Sequence, residues 1–331
     1  LQPLLGVWAD NIVNRIFIFW GLIFTSIFIS IAPASNEIFI LILCVILGSL
    51  GSSFFHPQAL GLVVRFAEND VAKTMGIFIA LGSIGFSIGP LLSAAVAQYF
   101  GLSQMPILCL PGLAVALLMF KLVPKIRVSE NDKSDLKFMT ALTDICKNRK
   151  LRLLIVMAML KTLISTSCLI LLPFLWQGLG YEPFYIGCIL FAFIFAGGIG
   201  SFLSRSLEKK LGTQNVFYIS MISTLPLMFL FALTYKNLPV MSEIIFVLIG
   251  FLTMLAQPVM MVMAQSVLPQ YKSIMGGFIN GFSWGVVAIL MSVIGFVAQA
   301  KGIVPVLLVI SVIPAVLSFF VIKHLFKKVD E

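Results

Sequence analysis

Acidic side chains are scarce in this chain: 13 of 331 residues are Asp or Glu, and histidine occurs twice. Charged residues of both signs make up 11%, while 60% are hydrophobic and 30 are Phe. An average soluble domain carries roughly 25% charged residues, so these proportions exclude a water-soluble globule and a disordered chain. The five cysteines form no Cys-x-x-Cys and no cluster with histidine, which argues against a metal site. Period-two alternation is also missing, so the apolar runs are not barrel strands. The apolar character runs end to end, which excludes a single anchor helix. The fold class is an all-α polytopic membrane protein.

A membrane-crossing helix needs about 20 mostly apolar residues. Seven uncharged runs of 21 to 28 residues lie between consecutive charges. An eighth, Lys73 to Lys121, has 47 and holds two spans with a turn near Tyr99-Phe100-Gly101. A ninth, Arg152 to Glu182, is interrupted by Lys161. Ten spans follow, preceded by a stub from Leu1 to Ala9. Cys44, Cys109, Cys168 and Cys188 fall in these spans and Cys146 in a polar loop.

Basic residues set orientation. With ten alternating spans, 19 of the 22 Lys+Arg fall on one side, Lys236 and Lys301 on the other, and Lys161 within a span. The rich side is expected to be cytoplasmic, including the central loop and the C-terminus. The net charge of +9 then reads as topology beside anionic headgroups, with no nucleic-acid partner implied.

The longest polar stretch, Lys121 to Arg152, leaves four spans before it and six after. We expect an N-terminal helical bundle over 1–120, a connecting loop over 121–150, and a C-terminal bundle over 151–331. Within the loop, Asp135 to Lys150 is a candidate for a short helix on the membrane surface.

An internal repeat relates the two halves. At an offset of 200, Met75, Gly76, Phe78, Ile79, Ser83 and Gly85 fall on Met275, Gly276, Phe278, Ile279, Ser283 and Gly285. At 201, His56-Pro57 falls on Gln257-Pro258; at 194, Gly6, Asp10 and Arg15 fall on Gly200, Ser204 and Lys209. The second half starts its first helix near Leu151, so its mate would lie 43 to 50 residues before Leu1. The expectation is ten spans present of a symmetric twelve.

Gly6-Val-Trp-Ala-Asp10-Asn-Ile-Val-Asn-Arg15 resembles G-x-x-x-D-x-x-x-x-R, the loop signature of the major facilitator superfamily. Gly6 permits close helix approach, Asp10 suits a helix N-terminus and Arg15 the headgroups. A narrower likeness is to fosmidomycin-resistance-type transporters. It rests on Gly51-Ser-Ser-Phe-Phe-His56-Pro57, on Leu81-Gly82-Ser83-Ile-Gly85-Phe-Ser87-Ile-Gly89-Pro90, and on Ala264-Gln265-Ser266-Val-Leu268-Pro269. The second of these also resembles the antiporter motif ending in Gly-Pro. Lys161 stands where that group has a lysine. Gln58 and Ser266 stand where the group has Glu, and Ser204 replaces the acid in the second copy of the loop signature.

Lys161 is the sharpest single residue. It lies nine residues after Arg152, which puts it near mid-bilayer. An ammonium there lines a cavity and attracts an anion, changes charge during transport, or pairs with carbonyls. His56 lies nine residues before Arg65, at similar depth. It suits proton coupling or substrate hydrogen bonding, with a neutral imidazole bonded to backbone as the plain alternative. Gln257, Asn280 and Gln265 complete the candidate substrate and proton site. Pro57, Pro258 and Pro90 interrupt helix hydrogen bonding, and Gly82, Gly85 and Gly89 read as close-packing or gating residues. Trp176 and Tyr181 read as outer-interface aromatics.

Together these features point to a monomeric inner-membrane transporter working by alternating access. The resemblance implies proton-coupled efflux of small, anionic, drug-like solutes, as in antiporters that confer drug resistance, and no cofactor. The partners are a small-molecule substrate, protons and the lipid bilayer. An intramembrane enzyme would need clustered acids, histidines or nucleophiles that the uncharged runs do not hold. The alternative function is a truncated, non-transporting remnant or a partner-binding membrane protein.

Overall fold

Ten helical spans in the computed structural model, which describes residues 2–5, 15–67, 70–123 and 138–327, are long and apolar enough to cross a membrane. All ten fall where the uncharged runs place them. The helices are α1 (Arg15–Ile31), α2 (Ile38–Phe66), α3 (Val71–Tyr99), α4 (Cys109–Leu122) and α5 (Phe138–Lys147). They continue as α6 (Arg149–Gly178), α7 (Pro183–Leu211), α8 (Thr213–Ile222), α9 (Thr224–Thr234) and α10 (Pro239–Leu255). The remainder are α11 (Gln257–Val267), α12 (Lys272–Gly276), α13 (Ser283–Lys301) and α14 (Ile303–Leu325). Three spans are each built from more than one α-helix: α8 with α9, α10 with α11, and α12 to α13 through a π-helical segment, Gly277–Phe282.

The helices outrun the hydrocarbon. At 30 residues α6 is about 45 Å long, against a core about 30 Å thick. The uncharged runs therefore understate the helices. Glu208 lies in the last turn of α7 and Glu243 in the second turn of α10, so these spans are not free of acids.

The chain forms two compact units. The first takes Leu1–Glu68, Leu92–Asn148 and Gln265–Phe282. In it α1 and α2 touch at Gly21 and Gly51, where a Cβ on either residue would meet the other's carbonyl oxygen. Thr25 Oγ1 donates to the Gly48 carbonyl (3.1 Å) across the same seam. A short helix, α5, lies within the stretch 135–150 where one was expected. It buries Ala141 and Ile145, exposes Met139 and Lys147, and its Asp144 Oδ2 accepts a hydrogen bond from Tyr271 (2.9 Å).

The second unit takes Asn69–Leu91, Arg149–Ala264 and Ser283–Glu331. Its core is aromatic: Phe193 stacks on Phe246 at 4.3 Å, and Trp176 meets Phe246 edge-on at 5.0 Å. Trp176 is therefore a core residue, 1% exposed, and not the interface aromatic expected from its place near a helix end. Met260 and Met261 fill the same unit's interior.

Two observations carry the repeat into three dimensions. The segments 69–91 and 265–282, each grouped with the unit that holds most of the opposite sequence half, overlap at the 200-residue offset. Gly101 and Gly302, 201 residues apart, have matching positive φ of 85° and 89° between successive spans. Such φ favours glycine because a side chain would crowd the backbone.

Gly82, Gly85 and Gly89 do not provide close helix packing among the described residues. They lie on the exposed face of α3, and a Cβ at any of them meets nothing within 4 Å among the described residues. Close helix contact in the second unit falls instead to Gly197, Gly200 and Gly250, where α7 and α10 meet.

Candidate functional site

Lys161 lies twelve residues into the 30-residue α6 and is 4% exposed. Its ammonium donates to Gln257 Oε1 at 3.1 Å, and Gln257 is 5% exposed. The two are 96 positions apart and share the second unit. Among the described residues, the ion pairs join Asp70 to Arg205 and Lys209, and Arg205 to Glu208; none includes Lys161. A buried ammonium is thus held by a neutral amide oxygen in place of a carboxylate.

Local chemistry explains why Gln257 is presented there. Pro258 has no N–H, so the carbonyl of Met254, four residues earlier, loses its usual helical donor. The helix ends at Leu255 and restarts at Gln257. The Met254 carbonyl accepts instead from the Ala256 N–H and from Ser201 Oγ, the latter at 3.2 Å. Around Lys161, Ser165 Oγ donates back to the Lys161 carbonyl (3.3 Å), and Thr162, Thr166 and Ser167 are buried beside it in sequence.

The remaining candidates divide. His56 is half-buried in α2, edge-on to the Phe55 ring at 5.4 Å, and belongs to the first unit, as does Pro57. Asn280 is half-buried in the π-helical segment of that unit. Single π turns occur often at functional sites because they loosen the backbone ladder. Gln265 also groups with the first unit, where its Nε2 donates to the Lys272 carbonyl (3.0 Å) and staples the turn between α11 and α12. Pro90 lies inside α3, which continues through it. Gly6 and Asp10 lie outside the described residues, and Arg15 opens α1. Tyr181 sits in the connection between α6 and α7, its ring 5.3 Å from that of Tyr185, whose hydroxyl donates to Glu243 Oε2 (3.0 Å).

One polar cluster was not anticipated. Asp70 caps α3, accepting from the Lys73 amide at 3.0 Å, and pairs with Arg205 (3.4 Å) and Lys209 (3.5 Å). Arg205 also donates to Glu208 at 2.6 Å. The cluster borders a cavity of about 340 Å³ whose other walls include Val259, Val262 and Met263. Ser204, which replaces the acid of the loop signature, is buried next to it. The acid missing at 204 is thus matched by one at the start of α3. The available signal was an Asp one residue before an apolar helix, a good N-cap.

The Lys73 amide, then the Arg205 and Lys209 charges, hold the Asp70 carboxyl below its ordinary value. Its charge therefore stabilises the fold fully at neutral pH, and that contribution is lost as pH falls through the depressed value. At pH 7, Asp70→Asn is expected to cost under about 1 kcal/mol, since the pairs are partly exposed. In melting curves the gap to the parent should start to close below about pH 4. A gap that persists unchanged to strongly acid pH would contradict the assignment.

Comparisons with known proteins bear on the fold and the family. The family model described as Major Facilitator Superfamily matches residues 1–292. The fosmidomycin resistance protein of Escherichia coli (strain K12) is 24% identical over 307 residues, covering 92% of this chain and 75% of the relative. The MFS-type transporter YfnC of Bacillus subtilis (strain 168), itself uncharacterised, is 23% identical over 322 residues, covering 95% and 78%. Among solved structures, the E. coli fucose:proton symporter FucP superposes with a TM-score of 0.74 at 15% identity, covering 99% of this chain and 88% of that one. The human organic anion transporter MFSD10 superposes with a TM-score of 0.75 at 17% identity, covering 97% and 80%.

Proposed function

The chain belongs to the major facilitator superfamily, and on that premise we propose that it moves small anionic solutes by alternating access, as proton-coupled efflux. The observation that carries the anion is the Lys161–Gln257 pair. A buried ammonium without a carboxylate partner is costly in a membrane. A transported anion supplies the missing countercharge when it binds. Gln257 releases or shares its hydrogen bond at that moment, so the ammonium exchanges a neutral partner for a charged one. One relative is named for resistance to fosmidomycin, a phosphonate, which makes that compound the first probe.

In this reading Lys161 and Gln257 bind substrate, and His56, Asn280 and Gln265, which belong to the other unit, take part in handling the solute or the proton. The protein acts as a monomer in the inner membrane, with residues 121–150 and the C-terminus cytoplasmic. The bundles in this reading are the sequence halves 1–120 and 151–331, with 69–91 and 265–282 the segments that group with the opposite half.

Flux in proteoliposomes loaded with fosmidomycin tests it. Efflux should accelerate when an inward-directed proton gradient is imposed and fall to the leak rate when the gradient is collapsed. Equal flux in both conditions would remove the proton coupling. Imidazole titrates near neutral pH, so His56→Ala should shift or flatten the pH profile of flux between pH 5.5 and 8. A profile superposable on the parent's would remove His56 from the coupling.

A further inference from the structure

The break in the α10–α11 span lies next to the site, and one serine on a neighbouring helix touches it. Ser201 is fully buried on α7, with its hydroxyl on the Met254 carbonyl. That carbonyl is the acceptor that Pro258 leaves without its helical donor, and Gln257 follows three residues later. Ser201 is firmly placed relative to α10. Gly200, its neighbour, lies against the Phe251 carbonyl, and Gly250 against the Phe193 carbonyl. The upper half of the span is thus clamped to α7, and the clamp extends to Met254 through the serine hydroxyl. The lower half, α11, begins with the residue that bonds Lys161.

We infer that Ser201 is a positioning residue for substrate binding: its hydroxyl holds the broken helix at Met254 in the geometry that aims Gln257 at Lys161. The inference rests on the reading of Lys161 and Gln257 as the anion site. The Ala256 N–H also reaches the Met254 carbonyl, so the Ser201 hydroxyl adds the tie between this carbonyl and the neighbouring helix α7. Without the hydroxyl that tie is lost, the break at Met254 is held only from within its own span, and Gln257 at the start of α11 turns with it. Interhelical hydrogen bonds of this kind alter equilibria by roughly threefold to twentyfold.

Two measurements on the full-length protein decide it. The first is the KM and maximal rate for fosmidomycin flux in the parent, Ser201→Ala and Ser201→Thr. The second is the distance between spin labels at Leu248→Cys on α10 and Met263→Cys on α11, in a background with the native cysteines replaced. Ser201→Ala should raise KM about tenfold, leave the maximal rate within about twofold, and shift or broaden the label distance. Ser201→Thr, which keeps the donor, should match the parent in both. An unchanged label distance in Ser201→Ala, an unchanged KM, or a threonine variant as impaired as the alanine one overturns the proposal. Flux unaffected by Lys161→Ala would instead overturn the anion site itself. The label distance would still decide what Ser201 does to the break.

Discussion

Lys161→Ala is expected to reduce solute flux to below about 1% of the parent while the protein still inserts and folds. Lys161 brings the only cationic head near the middle of its span, and Gln257 Oε1 is its hydrogen-bond partner. Inside a low-dielectric site one unit charge dominates the attraction for an anion, and alanine removes both the charge and the donor. Folding is less exposed to the change. A buried charge without an ionic partner contributes desolvation cost more than stability, so its removal should leave the melting temperature equal to or above the parent's. Lys161→Gln restores a hydrogen-bonding group without charge and separates the two terms. If charge carries the effect, it should remain as inactive as alanine. Flux within about twofold of the parent in either variant, with protein amount matched, would eliminate Lys161 as the anion-binding group.

The spans were legible in the sequence because their physical requirement is simple: about 20 residues without charge. Their ends were less legible, since helices continue into the headgroup region where Glu208 and Glu243 are tolerated. Lys161 announced itself by being charged at mid-depth, and Gln257 through its offset from His56. That the two side chains meet was not legible, because helix depth fixes height and not azimuth. The glycines show the same gap. Gly82, Gly85 and Gly89 are spaced to share a face, but spacing does not say whether another helix lies against that face. Gly200 and Gly250 do meet backbone, although no motif marks Gly250. The Asp70–Arg205 pair spans 135 positions and needed the fold to bring it together. The sequence reading counted the acid at Ser204 as lost; in space, Asp70 stands in the same neighbourhood.

The glycine contacts between α7 and α10 set the second large effect, because the clamp that carries Ser201 depends on them. At Gly200 an added methyl would collide with the Phe251 carbonyl, and at Gly250 with the Phe193 carbonyl. In each case the obstacle is backbone, which cannot rotate away as a side chain end can. Overpacking a tight core costs about 1–3 kcal/mol, and small residues are what permit such close approach in membranes. Gly200→Ala and Gly250→Ala are each expected to destabilise by about 2–3 kcal/mol, visible as a lowered melting temperature in detergent. The two substitutions push the same pair of helices apart, so their effects should combine to less than the sum. Exposed Gly85 is the internal control: Gly85→Ala meets no neighbour among the described residues and should leave the melting temperature unchanged or slightly raised. If Gly250→Ala melts with the parent, the two helices do not approach as described, and the placement of Ser201 against Met254 falls with them.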